Sequence, residues 1–253
     1  MTTWVLLRGL MRETRHWGDF PELFQNIIGA QHVVALDFPG NGRLHAQASA
    51  TSVVQMANYC HTELSKLGYT PPYNVLALSL GAMVAVAWSE RYPSELDNMV
   101  LINASLASYN PFYQRLRPEN YPVLIRHLLF GSAIQRESLI LKLTSSIAGN
   151  SERKQAILEQ WITYAQECPI TRANILRQLQ AAVGYRPSPA APPVPVLLLA
   201  GQQDHLVNIA CSITLAHHWR CAIRLHPDAG HDLPLDDGVW VSQQVKDWLN
   251  MQY

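Results

Sequence analysis

Ala77-Leu78-Ser79-Leu80-Gly81 sets a serine between small residues, one two positions before it and one two positions after. An apolar stretch, Asn74 to Leu78, precedes the serine, and a helical pattern rich in alanine (Ala82, Ala85, Ala87) follows it. A strand that turns at once into a helix needs small residues at those positions, because larger ones would collide with the neighbouring chain. Such a turn lifts the serine hydroxyl to the carboxyl end of the strand. It also sets it at a helix N-terminus, where the dipole and free N–H groups favour negative charge. That is the setting of a nucleophile. From average residue usage the pattern alone arises by chance roughly 0.1 to 0.2 times in a chain this long, so its context carries the argument.

A serine nucleophile needs a base, and the base needs an orienting acid. Asp204 follows the apolar run Val196–Ala200 through Gly201-Gln202-Gln203. His231 follows Cys221–Leu225 through His226 to Gly230. Ser79, Asp204 and His231 thus stand in chain order, each in a loop after an apolar run. Such loops lie at the carboxyl edge of a parallel sheet, where ligands bind. The loop after the fourth run, Asn103-Ala104-Ser105, offers no carboxylate, so the acid is assigned to Asp204. His205 comes before the last strand and is set aside as the base. His217-His218 lack a third ligand at useful spacing, so no metal is expected. No Gly-x-Gly-x-x-Gly or phosphate-loop pattern occurs, so no nucleotide cofactor is expected either.

The elements that position these residues read as alternating strands and helices. The apolar runs Trp4–Leu7, His32–Leu36, Asn74–Leu78, Asn98–Ile102, Val196–Ala200 and Cys221–Leu225 read as strands buried on both faces. Helical patterns cover Thr51–Leu67, Leu80–Arg91, Asn208–Trp219 and Asp236–Met251. This implies an α/β fold, a mostly parallel sheet with helices on both faces. Residues 106–187 break the rhythm. They read as helices only, over Pro122–Phe130, Ser138–Ile147, Glu152–Glu167 and Thr171–Val183, and a proline-rich linker from Pro187 to Pro195 leads back to the sheet. The expected organisation is a core of residues 1–105 and 188–253 with a helical cap at 106–187.

Composition narrows the function classes. The chain has 253 residues, with 19 Lys and Arg against 19 Asp and Glu. Zero net charge argues against a dedicated nucleic-acid binder. With 48% hydrophobic and 15% charged residues, disorder is excluded. Four scattered cysteines fit a reducing compartment. The apolar start Trp4–Leu7 is broken at once by Arg8, and the longest near-apolar run, Val75–Trp88, is too short to span a bilayer. A cytoplasmic protein with no membrane partner is expected. The charge is unevenly divided: residues 106–187 hold ten Lys/Arg and five Asp/Glu, a net +5. A basic cap, with Arg136, Lys142, Arg153 and Lys154, could meet an acidic acyl-carrier protein.

Several motifs together make segments 4–105 and 194–250, roughly two thirds of the chain, resemble the α/β-hydrolase superfamily. They are Arg8-Gly9, Asp37-Phe38-Pro39-Gly40-Asn41-Gly42-Arg43, the turn at Ser79, Arg91-Tyr92-Pro93, Gly201-Gln202-Gln203-Asp204-His205-Leu206-Val207 and Gly230-His231-Asp232. The resemblance implies an α/β-hydrolase fold, an oxyanion hole from the backbone N–H groups of Leu10 and Leu80, and a cap where the insertion falls. Length and cap look similar to small bacterial carboxylesterases, including the type that cleaves a pimeloyl-carrier-protein methyl ester. The implied activity is a serine hydrolase acting on a small-molecule ester or thioester without a cofactor. Hydrolysis of C–C bonds or lactones, and a non-catalytic ligand receptor, share the same residues. Two departures stand out. Ala77 replaces a common glycine without steric consequence, and Arg8 stands where the family usually has histidine. Arg8 would bind a substrate carboxylate or serve as scaffolding. Met11, Tyr109, Tyr113 and Phe130 are the remaining candidates for the substrate pocket.

Overall fold

A computed structural model describes residues 2–146 and 151–252. Six strands, β1 (Thr3–Leu7), β2 (His32–Leu36), β3 (Tyr73–Leu78), β4 (Leu96–Ile102), β5 (Val196–Gly201) and β6 (Ala222–His226), form one sheet in the order β2-β1-β3-β4-β5-β6. All five pairings are parallel. The chain runs outward from β1 to β2, then crosses back to β3 and continues the other way. The loops after β1 and β3 therefore diverge, which opens a crevice between the carboxyl ends of these two neighbours.

The central strands β1, β3, β4 and β5 are buried on both faces, the edge strands β2 and β6 only in part, and their side chains alternate between two cores. Val5, Leu7, Val75, Ala77, Met99, Leu101 and Leu198 pack against α2 (Val53–Lys66), α3 (Leu80–Arg91) and α9 (Ala210–Trp219). Trp4, Leu6, Leu76, Leu78, Val100, Ile102, Leu197 and Leu199 face α1 (Phe20–Ile28) and α10 (Leu233–Asn250). All six expected strands and the four expected core helices form within a few residues of their expected ends. The sequence reading names no helix between β1 and β2. The structure has α1 there, with Pro21 in its first turn and Gly29 closing it in the left-handed region at φ 71°. α10 starts at Leu233, three residues early, and bends at Asp237, whose φ of −148° is not helical.

Between β4 and β5 lie α4 (Phe112–Arg115), α5 (Tyr121–Phe130), α6 (Ala133–Thr144), α7 (Ser151–Glu167) and α8 (Arg172–Gly184), with no strand among the described residues. The helix expected over Ser138–Ile147 begins earlier, because Ser132 caps it by accepting from Gln135 N–H. Its expected end, Ile147, lies outside the described residues. No helix among the described residues is long and apolar enough to cross a membrane.

Gly81 shows how tightly the β3–α3 turn is built. A Cβ there would lie 2.4 Å from the Leu7 carbonyl oxygen, and backbone cannot yield as a side-chain tip can. Gly81→Ala is expected to lower stability by about 1–3 kcal/mol, the range of overpacked sites, measured by urea unfolding.

Candidate active site

Ser79 sits between β3 and α3 with φ 56° and ψ −112°, a conformation that L-residues rarely adopt. Two contacts hold it there. Its N–H donates to Ile102 O at 3.0 Å, and Gly9, in the loop after β1, packs close against the Ser79 Cβ. A Cβ on Gly9 would come within 3.3 Å of it. Ser79 stays partly exposed while Leu78 and Leu80 are buried. Leu10 and Leu80 flank this corner. Among the described residues, neither backbone N–H donates a hydrogen bond to another backbone or side-chain group.

Asp204 and His231 meet. The His231 Nδ1 lies 2.6 Å from Asp204 Oδ2, and both residues are almost fully buried. The other carboxylate oxygen, Oδ1, accepts from Leu206 N–H and Val207 N–H, each at 2.8 Å. A carboxylate can only accept, so Nδ1 carries the proton and the neutral ring keeps Nε2 as an acceptor. Burial by itself pushes the His231 pKa down. The Asp204 charge and hydrogen bond, helped by Asp232, outweigh that and raise it above its ordinary value of 6.5, while Arg8 opposes them.

Among the described residues no hydrogen bond joins Ser79 Oγ to the His231 ring. What gathers the three residues is a set of buried latches between loops. Asn103, directly after β4 and at φ 48°, donates to Gly230 O at 3.2 Å and to His231 O at 2.7 Å. Its Oδ1 accepts from Gly201 N–H, so one side chain clamps the Asp204 loop to the His231 loop.

Arg8 forms the second latch. Its Nη1 and Nη2 donate to the two carboxylate oxygens of Asp232 at 3.0 and 2.6 Å, and its guanidinium covers the Trp17 ring at 4.6 Å. Arg8 is 2% exposed. Of the two roles considered for it, the bidentate contact with a buried carboxylate supports scaffolding. The pair ties the loop bearing Gly9 and Leu10 to the residue after His231.

The other pocket candidates are placed as follows. Met11 follows Leu10 at φ 63°, and its N–H donates to Gln178 of α8 at 2.9 Å. Tyr109 does not reach the carboxyl edge. Its ring packs on His218 and Trp219 at the far end of α9, and its hydroxyl donates to Ser188 O. Tyr113 is half exposed, and Phe130 is 80% exposed. Both stand on the surface of the insertion. Sequence reasoning gave no role to Asn103 or Asp232. The only local signals were an asparagine at a strand end and an acid adjoining the assigned base. Among the described residues no cluster of three or more His, Cys, Asp or Glu side chains could hold a metal ion.

With this geometry in hand, the likeness to known proteins is informative. The sequence model of the alpha/beta hydrolase family matches residues 4–244. Monoacylglycerol lipase ABHD6 of Homo sapiens is 22% identical over 233 residues, covering 86% of this chain and 67% of that protein. The fold superposes on the enol-lactonase from Burkholderia xenovorans LB400 with a TM-score of 0.79 at 18% identity, over 98% of this chain and 91% of that one. It also matches the 2-hydroxy-6-oxo-6-phenylhexa-2,4-dienoate hydrolase from Rhodococcus sp. strain RHA1, TM-score 0.80 at 17% identity, over 98% and 90%.

The Arg8–Asp232 pair is open to a direct test. Removing one partner leaves the other charge buried and alone, so Arg8→Met is expected to cost about 3–5 kcal/mol in urea unfolding. The double variant Arg8→Met/Asp232→Leu is expected to lose less than the two single changes added together.

Proposed function

The chain belongs to the alpha/beta hydrolase family, and from that premise we propose that it is a serine hydrolase cleaving a carboxylic ester or thioester. The observation that carries the reading is the buried hydrogen bond from His231 Nδ1 to Asp204, which leaves Nε2 basic on the edge where Ser79 is held exposed. The name of the human relative, a lipase, is in keeping with an ester substrate.

In the proposed reaction His231 Nε2 takes the proton of Ser79 Oγ as the oxygen attacks the acyl carbonyl. Asp204 keeps the ring in the required tautomer and stabilises the imidazolium. Negative charge gathers on the former carbonyl oxygen, and the free N–H groups of Leu10 and Leu80 receive it. One such donor is worth about 10²–10³ in rate. The imidazolium returns its proton to the departing alkoxide or thiolate, leaving an acyl-serine. Water then attacks, giving its proton to His231, and the acid leaves as Ser79 is restored. The strained backbone at Ser79 holds the hydroxyl in one place, so little reordering is needed on reaching the transition state.

Intact-mass analysis after fluorophosphonate treatment, with turnover of a p-nitrophenyl ester series, tests the assignment. Wild type is expected to label once and turn over. Ser79→Ala is expected to do neither, with kcat lower by about 10⁴-fold or more. Folded wild type that neither labels nor turns over would overturn the reading and favour a ligand receptor.

The base acts only when neutral. Its pKa lies above 6.5, so kcat/KM is expected to rise with pH through a midpoint above that value. Asp232→Asn removes one of the charges that raise the His231 pKa and leaves Arg8, which lowers it. The midpoint in that variant is therefore expected to move to lower pH. A pH profile of kcat/KM for the two proteins measures it.

A further inference from the structure

Helix α5 wears its apolar side outward. Tyr121, Leu124 and Leu128 turn toward the protein and are half-buried, and no described residue of the helix is fully buried. Pro122, Ile125, Arg126, Leu129 and Phe130 are exposed. Their spacing of three and four residues makes one continuous stripe along the helix. Ile125 is 56% exposed, Leu129 49% and Phe130 80%, and Ile134 at the start of α6 is 52%. A surface helix ordinarily shows the reverse pattern, with polar residues outward. Contiguous exposed side chains of this size mark an interaction surface. The outer faces of the two helices adjoin, since His127 of α5 lines a shallow groove of about 340 Å³ with Ile134, Ser138 and Lys142 of α6.

The charges around the stripe are of one sign. From Tyr121 to Ser146 the ionisable side chains other than histidine are Arg126, Arg136, Lys142 and Glu137. Glu137 is buried, 2.6 Å from Arg12, and contributes nothing to the outer face. Arg136 donates to Gly131 O, and Arg153 of α7 to Leu235 O, so two of the four cations singled out for carrier docking are occupied locally. Arg126 and Lys142 remain exposed beside the apolar stripe. The nearest exposed acid along the chain, Glu119, precedes the helix at the end opposite Phe130 and lies 3.7 Å from Arg117.

We propose that the α5–α6 hairpin docks on a bilayer surface containing anionic lipid. Ile125, Leu129, Phe130 and Ile134 enter the boundary between headgroups and acyl chains, and Arg126 and Lys142 meet the lipid phosphates. An apolar centre with a few flanking cations suits that interface. An acidic protein would be met by a denser set of cations, and a second copy would set like charges against each other.

The placement gives the surface a use. At the start of α5, Asn120 donates to His205 O at 2.7 Å, beside Asp204. At the end of α6, Thr144 O accepts from Asp232 N–H at 2.7 Å, beside His231. The hairpin thus runs from the acid loop to the base loop, and docking it would bring both close to lipid. Docking itself needs no catalysis, so it stands or falls apart from the hydrolase reading.

Co-sedimentation with phosphatidylcholine vesicles, with and without phosphatidylglycerol, tests this. Wild type is expected to bind the vesicles containing phosphatidylglycerol and to release in high salt. The variant Ile125→Ser/Leu129→Ser/Ile134→Ser is expected to partition about 100-fold more weakly. The three side chains are exposed, so its circular dichroism and its turnover of a soluble short-chain ester are expected to match wild type. Three results would overturn the proposal: folded wild type binds neither vesicle, the triple variant binds as wild type does, or binding is seen only with an acidic acyl-carrier protein. A dimer by size exclusion that the triple variant breaks would overturn it too, assigning the face to a second copy.

Discussion

The site hangs on a buried ion pair. Arg8 and Asp232 are 224 positions apart in the chain, yet two hydrogen bonds join guanidinium to carboxylate, with the guanidinium over the Trp17 ring. Taking both charges out of water costs several kcal/mol per ion, and only good geometry repays it. Such a pair is poor value for stability alone. Its worth is in position: the planar fork of arginine fixes distance and orientation together, which a lysine could not do. One end of the fork is fixed to Gly9, which abuts Ser79. The other is fixed to the residue after His231. The loops of the proposed nucleophile and base are therefore tied by a contact that also tunes the base electrostatically.

That contact works because the sheet has already gathered its loops. β1 and β3 are neighbours whose following loops part in opposite directions, and the turn at Ser79 lies at that divide. Small residues permit the turn, with Gly81 passing under the end of β1 and Gly9 passing over Ser79. Asn103 then joins the ends of β4, β5 and the His231 loop with three hydrogen bonds from one side chain. Strands bring the loops to one edge within several ångströms, and the buried polar latches supply the last few tenths. Hydrogen bonds suit that task because they are directional, and burial makes breaking them expensive.

How much of this was legible in the sequence follows the same division. Strands buried on both faces announce themselves as apolar runs, so the six strands and the order of Ser79, Asp204 and His231 along the edge could be read directly. The latches could not. Arg8 looked as apt for a substrate as for a scaffold, because its partner is remote in the chain and nothing local distinguishes Asp232 from a surface acid. Asn103 was noted only for not being a carboxylate. The aromatic candidates were ambiguous for a different reason. A helical spacing shows that a face exists but not which way it turns, so Tyr109, Tyr113 and Phe130 looked equally fit to line a pocket. Helix α1 went unnamed, although Phe20, Leu23, Phe24, Ile27 and Ile28 carry helical spacing between Pro21 and Gly29.

Beside the apolar contacts of Leu106, Ala181 and Tyr185 with the core, buried polar contacts fasten the insertion to the loops around the sheet. Gln178, fully buried, accepts from Met11 N–H and donates to Asn41 and Ser49. Asn174 accepts from Ser49 N–H and donates to Gln47 O. Glu137 takes Arg12, and Asn120 reaches the loop after Asp204. Fastening of this kind places helices accurately while using little apolar area. It also explains how α5 can be apolar on nearly every side. Its inner residues are only half covered, and its outer ones meet solvent, because the helix is anchored at its start through Asn120 and not along its length. This exposure leaves on the surface an apolar strip attached at one end to the acid loop and, through α6, to the base loop. A body that covers that strip would act on the site through the same two anchors.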